Sequence, residues 1–279
     1  MNVYQIVTER IIKELEKGNI PWKKPWINIR LQSGAYNRIS KKPYSLMNQM
    51  LLGRAGEYAT YKQWTDLGGK LKEGAKSEIV VFWKLQIIKD EKENGEIEEK
   101  QIPLLRYYRV FHISQIQGID SLPKPEIPNI EGIKEGDQLI EKYASREKIR
   151  IKETISNDAF YNPRKDIIVV PKKGQFDDIN EFYSTVFHEI IHSTGHVNRL
   201  NRETMGKASF GSNNYSREEL VAETGSAMLM NIVGLETDGT FKNSAAYLQS
   251  WIRHLKEDEK LIVAAAGKAE KAVKFVMQD

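Results

Sequence analysis

A chain of 279 residues is long enough for two modest domains, and a 40% hydrophobic content is enough to build cores. It contains no cysteine, which excludes disulfides, thiolate metal sites and a cysteine nucleophile. The formal charge of +4 conceals an asymmetry: residues 1–125 hold 21 Lys and Arg against 14 Asp and Glu, and the remainder holds 21 against 24.

No stretch of about eighteen apolar residues is present, so no transmembrane helix and no membrane partner are expected. The first residues lack a basic start followed by an apolar core, so the expectation is a cytoplasmic chain without a signal peptide. Lys89 to Lys100 concentrates six acids and three lysines around Asn94-Gly95. Without that segment, read as an exposed hairpin tip, residues 1–125 carry 18 basic and 8 acidic side chains. A polyanion therefore suits the first half better than the second.

In chain order, Val3, Ile6, Val7, Ile11 and Leu15 recur at helical spacing, and Gly18 stops the helix. Pro21-Trp22-Lys23-Lys24-Pro25-Trp26 is extended, stiff, basic and aromatic. Lys41-Lys42-Pro43-Tyr44 repeats that chemistry before a short helix at 45–52. Thr60 to Trp64 begins another helix, closed by Gly68-Gly69. Residues 79–83 and 86–88 read as strand, with 106–113 as antiparallel partner. Pro123, Pro125 and Pro128 mark a linker over 121–132. Beyond it the pattern predicts a helix near 136–144 and a strand at 148–153. A hairpin of 159–161 with 166–170 follows, and then helices over 180–194, 216–233, 243–255 and 259–277.

The helix over 180–194 carries His188-Glu189-Ile190-Ile191-His192, the H-E-x-x-H pattern. Two histidines four apart lie on one helix face, where both imidazoles can hold one metal ion, and the intervening glutamate can act as base on a water. Phe182, Tyr183, Val186, Phe187, Ile190 and Ile191 form the opposite, apolar face, so the histidines are not packing residues of this helix. The next helix, apolar nearly all round, reads as buried, and a buried carboxylate needs a partner or a metal. Glu219 is expected as third ligand. Glu223, one turn on, is expected to accept the free N–H of a ligand histidine, with a ligand role as its alternative. Glu218 points elsewhere on this reading. Ser216-x-x-Glu219 also fits a capping box, which would give Glu219 a purely local duty. His196 follows a glycine at a spacing too short for the third histidine of metzincins. It reads as a polar residue near the cleft or as a favourable charge at a helix end. The implied chemistry is hydrolysis with Glu189 as the proton carrier, an oxyanion contact from Tyr215 or His196, and an extended peptide paired with the strand 166–170. The metal is Zn²⁺, with Mn²⁺ as the alternative. The peptide or protein substrate is not specified.

Single-stranded nucleic acid is bound by basic grooves lined with aromatic rings. Trp22, Lys23, Lys24, Trp26, Lys41, Lys42, Tyr44, Tyr61, Lys62 and Trp64 offer both components. The same composition fits tryptophans in a core and lysines on a solvated surface.

Several motifs in order resemble the ArdC-type antirestriction proteins of mobile elements. They are IPWKKPW from Ile20, NRISKKPYSLMN from Asn37, YATYKQWTDLGGKLKEGAKSEIVVFWK from Tyr58, YYRVFH from Tyr107, FHEIIHSTGHVNRLNR from Phe187 and YSREELVAE from Tyr215. Leu46 and His112 stand where members often have Gly and Asn. The resemblance implies an α+β chain of two domains. An N-terminal mixed α/β single-stranded-DNA-binding domain would span 1–120. A C-terminal helix-rich, zincin-like (gluzincin-like) metallopeptidase domain with a small sheet would span 133–279. It also implies a role in protecting incoming DNA from restriction. The alternative is a non-catalytic single-stranded-DNA-binding protein whose metal is structural or holds a partner.

Overall fold

The computed structural model describes residues 2–23, 34–91, 97–123, 132–156, 158–203, 213–235 and 245–278. Helix α1 (Val3–Glu16) begins at a capping box, in which the Asn2 side chain accepts from Gln5 N and the Gln5 side chain accepts from Asn2 N. One 3₁₀ turn, Pro21–Lys23, follows. Then come β1 (Ala35–Asn37), α2 (Leu46–Leu52), β2 (Gly56–Ala59), α3 (Tyr61–Asp66), β3 (Lys70–Leu71), β4 (Glu78–Glu91), β5 (Ile97–His112) and β6 (Ile116–Gln117).

Four of these strands form a sheet in the order β1-β2-β5-β4, and β3 pairs with β6. The sheet is antiparallel as expected except at its margin, where β1 runs parallel to β2. Strand β1 has three residues and no alternation, so nothing in its pattern announced it. The β4–β5 pair is longer than its hydrophobic alternation indicates, running from Glu78↔Val110 to Glu91↔Ile97. Its outer part is exposed: Leu85 and Ile87 are 62% and 54% accessible. Backbone pairing, rather than burial, carries the ladder outward. The acidic tip around Asn94-Gly95 lies outside the described residues.

Leu46 and His112 both have ordinary structural roles. Leu46 is fully buried at the start of α2, and its backbone N–H donates to Glu270 Oε2 at 3.2 Å. His112 Nδ1 accepts from Ser114 N at 3.0 Å and caps the short 3₁₀ turn after β5, a task an asparagine oxygen also performs.

The second half contains α4 (Gly132–Glu147), β7 (Arg150–Thr154), β8 (Phe160–Asn162), β9 (Ile167–Pro171), α5 (Ile179–Ser193), α6 (Asn213–Ile232), α7 (Ala245–Glu257) and α8 (Leu261–Met277). Its sheet has the order β7-β9-β8, with β7 parallel and β8 antiparallel to β9. The central place of β9 corrects the peptide-pairing expectation for 166–170: both hydrogen-bonding edges of that strand are already used. Among the described residues, no helix is long and apolar enough to cross a membrane.

The largest buried cluster draws on both halves. It joins Val7, Ile11, Leu15, Trp22, Leu46 and Met50 to Phe187, Leu220, Met228, Trp251, Ile262 and Val273. Trp22 meets Trp251 edge to face at 6.4 Å between ring centroids. Thr8 Oγ1 donates to Glu259 O at 2.8 Å, and Asn2 Nδ2 to Glu259 Oε1 at 2.8 Å. At the end of the first half, Glu57 is buried, pairs with Arg38 and accepts from Leu122 N at 2.7 Å.

Candidate metal centre

Helix α5 is held by its apolar face: Phe182, Tyr183, Val186, Phe187, Ile190 and Ile191 are all buried. Helix α6 crosses the boundary of that face, touching Ile191 on the apolar side and the two histidines on the polar side. Gly225 permits that approach, because a Cβ there would stand 2.9 Å from Ile191 Cδ1 and Cγ1. Glu218, Ala222 and Gly225 share one stripe of α6, at spacings of about one and two helical turns. Close contact at Gly225, on the stripe that also carries Glu218, therefore brings the start of α6 against the histidines.

His188 Nε2 and His192 Nε2 are 3.0 Å apart. Glu219 Oε2 lies 3.5 Å from the first and its Oε1 lies 3.4 Å from the second. Among the described residues, His188, His192 and Glu219 form the group whose donor atoms all fall within 4.8 Å of one another. Donors bound at 2.0–2.1 Å around a tetrahedral ion stand about 3.3 Å from each other, so these spacings fit a zinc-sized cation. Glu189 is buried in the same helix at 7% accessibility.

Ser216 is the fourth residue of α6, not its cap, so Glu219 has no capping partner there. Its Oγ instead faces His254 Nε2 at 3.2 Å. Glu218 corrects the expectation most directly. It is 4% accessible, and its Oε1 lies 3.5 Å from His192 Nδ1. Adjacent glutamates thus flank one imidazole, Glu219 at Nε2 and Glu218 at Nδ1. Glu223, expected to accept the free N–H of a ligand histidine, lies one turn further along α6 and bears on His188 through its charge. The missed signal is Arg202: a buried carboxylate needs a cation, and this arginine ends the quoted HVNRLNR run.

Arg202 is itself buried. Its Nη2 donates to Glu218 Oε1 at 2.5 Å and to Ile191 O at 2.7 Å, and its Nη1 donates to Thr194 Oγ1 at 2.6 Å. The bond to Ile191 O takes up a carbonyl near the end of α5, where helical partners run out. Arg199 braces the other side, donating to Ser193 O at 3.0 Å, Asp166 Oδ2 at 2.8 Å and Glu147 Oε2 at 3.1 Å. His196 stands near Asp166, outside the three-donor group. The Tyr215 side chain lies outside the described residues.

The electrostatics follow from this concentration of acids. Burial opposes charge on His192, but Glu218 and Glu219 outweigh it and hold the imidazole up at about 10. His188 is raised as well, against burial and through Glu219. Burial also opposes the charge of Glu218, yet His192 and Arg202 lower its carboxyl to about 2, and Glu219 is lowered by both histidines. Without a metal the pocket thus favours protons on its imidazoles. A divalent cation supplies the same positive charge to the same carboxylates.

The nucleic-acid candidates are divided by burial. Trp22 and Trp64 are 0% and 1% accessible, which removes both from any stacking surface. Trp64 Nε1 donates to Phe111 O at 2.9 Å. Tyr44 is partly buried and its hydroxyl accepts from Asn37 Nδ2 at 3.3 Å. Lys41, Lys42, Tyr61 and Lys62 are exposed, and Lys62 pairs with Asp66 at 2.8 Å. Lys24, Trp26 and the Lys23 side chain lie outside the described part. Other exposed rings stand on the two faces of β4–β5, Trp83 and Tyr107 on one and Tyr108 on the other, at 54%, 39% and 55% accessibility. Arg106-Tyr107-Tyr108-Arg109 is legible in the sequence as a basic and aromatic string within a strand.

Fold and site together define a two-domain α+β protein whose second domain is a zincin-like metallopeptidase domain. Residues 138–268 match the family described as zincin-like metallopeptidase, and residues 1–111 match the N-terminal domain of anti-restriction factor ArdC. The metal-free crystal structure of antirestriction ArdC protein from plasmid R388 is 33% identical, covers 100% of this chain and 97% of that one, and superposes with a TM-score of 0.73. Its Mn(II)-bound structure is 32% identical, covers 100% and 98%, and gives 0.75. The chain belongs to the ArdC antirestriction family. Two Escherichia coli proteins named DNA primase TraC are 31% and 33% identical over 98% of this chain, which spans only 20% and 27% of their lengths. Protein y4eC of Sinorhizobium fredii is 29% identical over 96% of this chain and 89% of its own.

Proposed function

We propose that this protein is a DNA-associated metallopeptidase of the antirestriction type, with a hydrolytic site on α5 and α6 and a single-stranded-DNA surface in the first half. The carrying observation is the convergence of His188 Nε2, His192 Nε2 and the Glu219 carboxylate beside Glu189 in an H-E-x-x-H helix. His188, His192 and Glu219 would hold the ion, zinc by the donor set and manganese by analogy with the R388 protein. The ion, when bound, supplies Lewis acidity to a water and to the scissile carbonyl. The Glu189 carboxylate accepts the proton of the attacking water and passes it to the leaving amide nitrogen. With β9 central in its sheet, an extended substrate would add at an edge strand, and β8 is the edge that packs against the metal-bearing helix α5.

The working division is residues 1–120 for nucleic acid and 133–279 for the peptidase, joined by 121–132. Phe82 and Tyr108 on β4 and β5 stack at 4.5 Å with an interplanar angle of 4°. Arg106 lies opposite Phe82 in the register, and Lys84 follows two residues on along the same face. Aromatic platform and cations together suit unpaired bases and their phosphates. Both the antirestriction family and the relatives named DNA primase are concerned with DNA, which agrees with this partner. Protection of incoming mobile-element DNA is the corresponding biological role.

Glu189→Gln is the decisive variant. It is expected to keep its metal and lose peptide hydrolysis. In a transfer assay with restriction, loss of protection by the same variant ties protection to hydrolysis. Full protection by a hydrolytically dead variant overturns that link and leaves DNA binding as the antirestriction activity.

A further inference from the structure

Glu218 and Arg202 belong to no ligand set, yet they are buried at 4% and 8% accessibility beside the metal ligands. Charges at such depth are costly unless they are paired, and removing one partner leaves the other uncompensated. This pair is fully engaged. Arg202 Nε donates to both Glu218 oxygens at 3.1 Å, and its Nη2 donates to Oε1 at 2.5 Å. The same guanidinium reaches Ile191 O, His192 O and Thr194 Oγ1 at 2.7, 3.3 and 2.6 Å. It therefore fixes Glu218 to the backbone of the residue whose ring Glu218 faces.

We propose that Glu218 is a positioning residue that selects the Nδ1–H tautomer of His192, and that Arg202 holds it in place. An ionised carboxylate at 3.5 Å from Nδ1 has only acceptor sites to offer, so it favours a proton on that nitrogen. In the neutral ring, the lone pair then lies on Nε2, the nitrogen that points to His188 and Glu219. Ring orientation is fixed by the same contact, because Glu218 and Glu219 hold opposite sides of one imidazole. Arg202 also ties the turn after α5 to the start of α6. One side chain thereby couples the helix that carries two ligands to the helix that carries the third.

This role rests on the metal-centre reading, and the test separates the two. Zn²⁺ affinity is measured by calorimetry against a competing chelator for wild type, Glu218→Gln and the double variant Glu218→Leu/Arg202→Met. The double variant removes both charges with little change in volume, which protects the fold from an uncompensated ion. Circular dichroism selects folded protein, and ¹⁵N NMR of labelled histidine in the zinc-loaded chain reports the His192 tautomer. Wild type is expected to show the Nδ1–H form, and both variants are expected to bind zinc about ten- to hundred-fold more weakly. A fraction of His192 bound through Nδ1, with its proton on Nε2, is expected in the double variant. Folded variants with wild-type zinc affinity and an unchanged tautomer overturn the positioning role while leaving the metal centre intact. A wild-type chain that takes up no zinc overturns the metal reading itself, and this role with it.

Discussion

The helix pair α5–α6 and the strand pair β4–β5 put the same kinds of residue to opposite use. Between the helices, charged side chains are buried, and carboxylates, imidazoles and a guanidinium satisfy one another at 2.5 to 3.5 Å. On the strands, aromatic rings and cations stand in solvent: Tyr108 is 55% accessible. A buried charge has to have a reason, so the helical site declares its chemistry by its partners. An exposed ring requires none, and its use depends on what binds it. The tryptophans sharpen the contrast. Trp22 and Trp64 carry the strongest compositional signal for base stacking and are core residues.

Four results would break or refine this contrast. The largest expected effect is at Glu189: Glu189→Gln is expected to lower peptide hydrolysis by about 10²–10⁴-fold with metal content unchanged by mass spectrometry. Substantial residual hydrolysis would remove Glu189 from the proton transfer. Next is Trp22→Ala, expected to cost about 3–5 kcal/mol of stability in denaturant titration, because its site lies where the two halves share a core. A stable variant with weakened DNA binding would return Trp22 to the DNA surface. Tyr108→Ala is expected to do the reverse. Binding of a single-stranded oligonucleotide should weaken by about 1–3 kcal/mol with the thermal midpoint preserved. Unchanged affinity at fixed low salt moves the platform elsewhere.

The smallest effect concerns pH. Burial pushes the Asp166 carboxyl up, but Arg199 and Tyr161 outweigh it and hold its pKa below the ordinary 3.8. A folded-state value below the unfolded one means stability that is present above pH 3.8 and lost as pH falls through the folded value. Asp166→Asn is therefore expected to flatten the acid limb of the stability profile in this window. A variant profile parallel to wild type throughout would assign Asp166 no part in acid unfolding.

Legibility differed between the two regions for the same physical reason. Helical periodicity located α5 within a residue at each end, since its two faces differ sharply in polarity. The two histidines and Glu219 were found by spacing and by the cost of buried charge. Glu218 was missed because adjacent helix positions point about 100° apart, and only the crossing of α6 over α5 makes them converge on one ring. Strand β1 and the outer part of β4–β5 were missed because they bury too little to impose alternation.

The sequence alone determined that two histidines, a glutamate between them and a following buried helix would meet in one polar site. It also determined the order of the two domains and the basic balance of the first. Those are consequences of helical geometry and of charge, which are local or additive. Tertiary structure decided which nitrogen of His192 meets which carboxylate, that Arg202 closes the cluster, and that Trp22 packs on Trp251. It also decided that β9 sits in mid-sheet. Each of these depends on the packing of elements distant in the chain, a relation that no local pattern encodes.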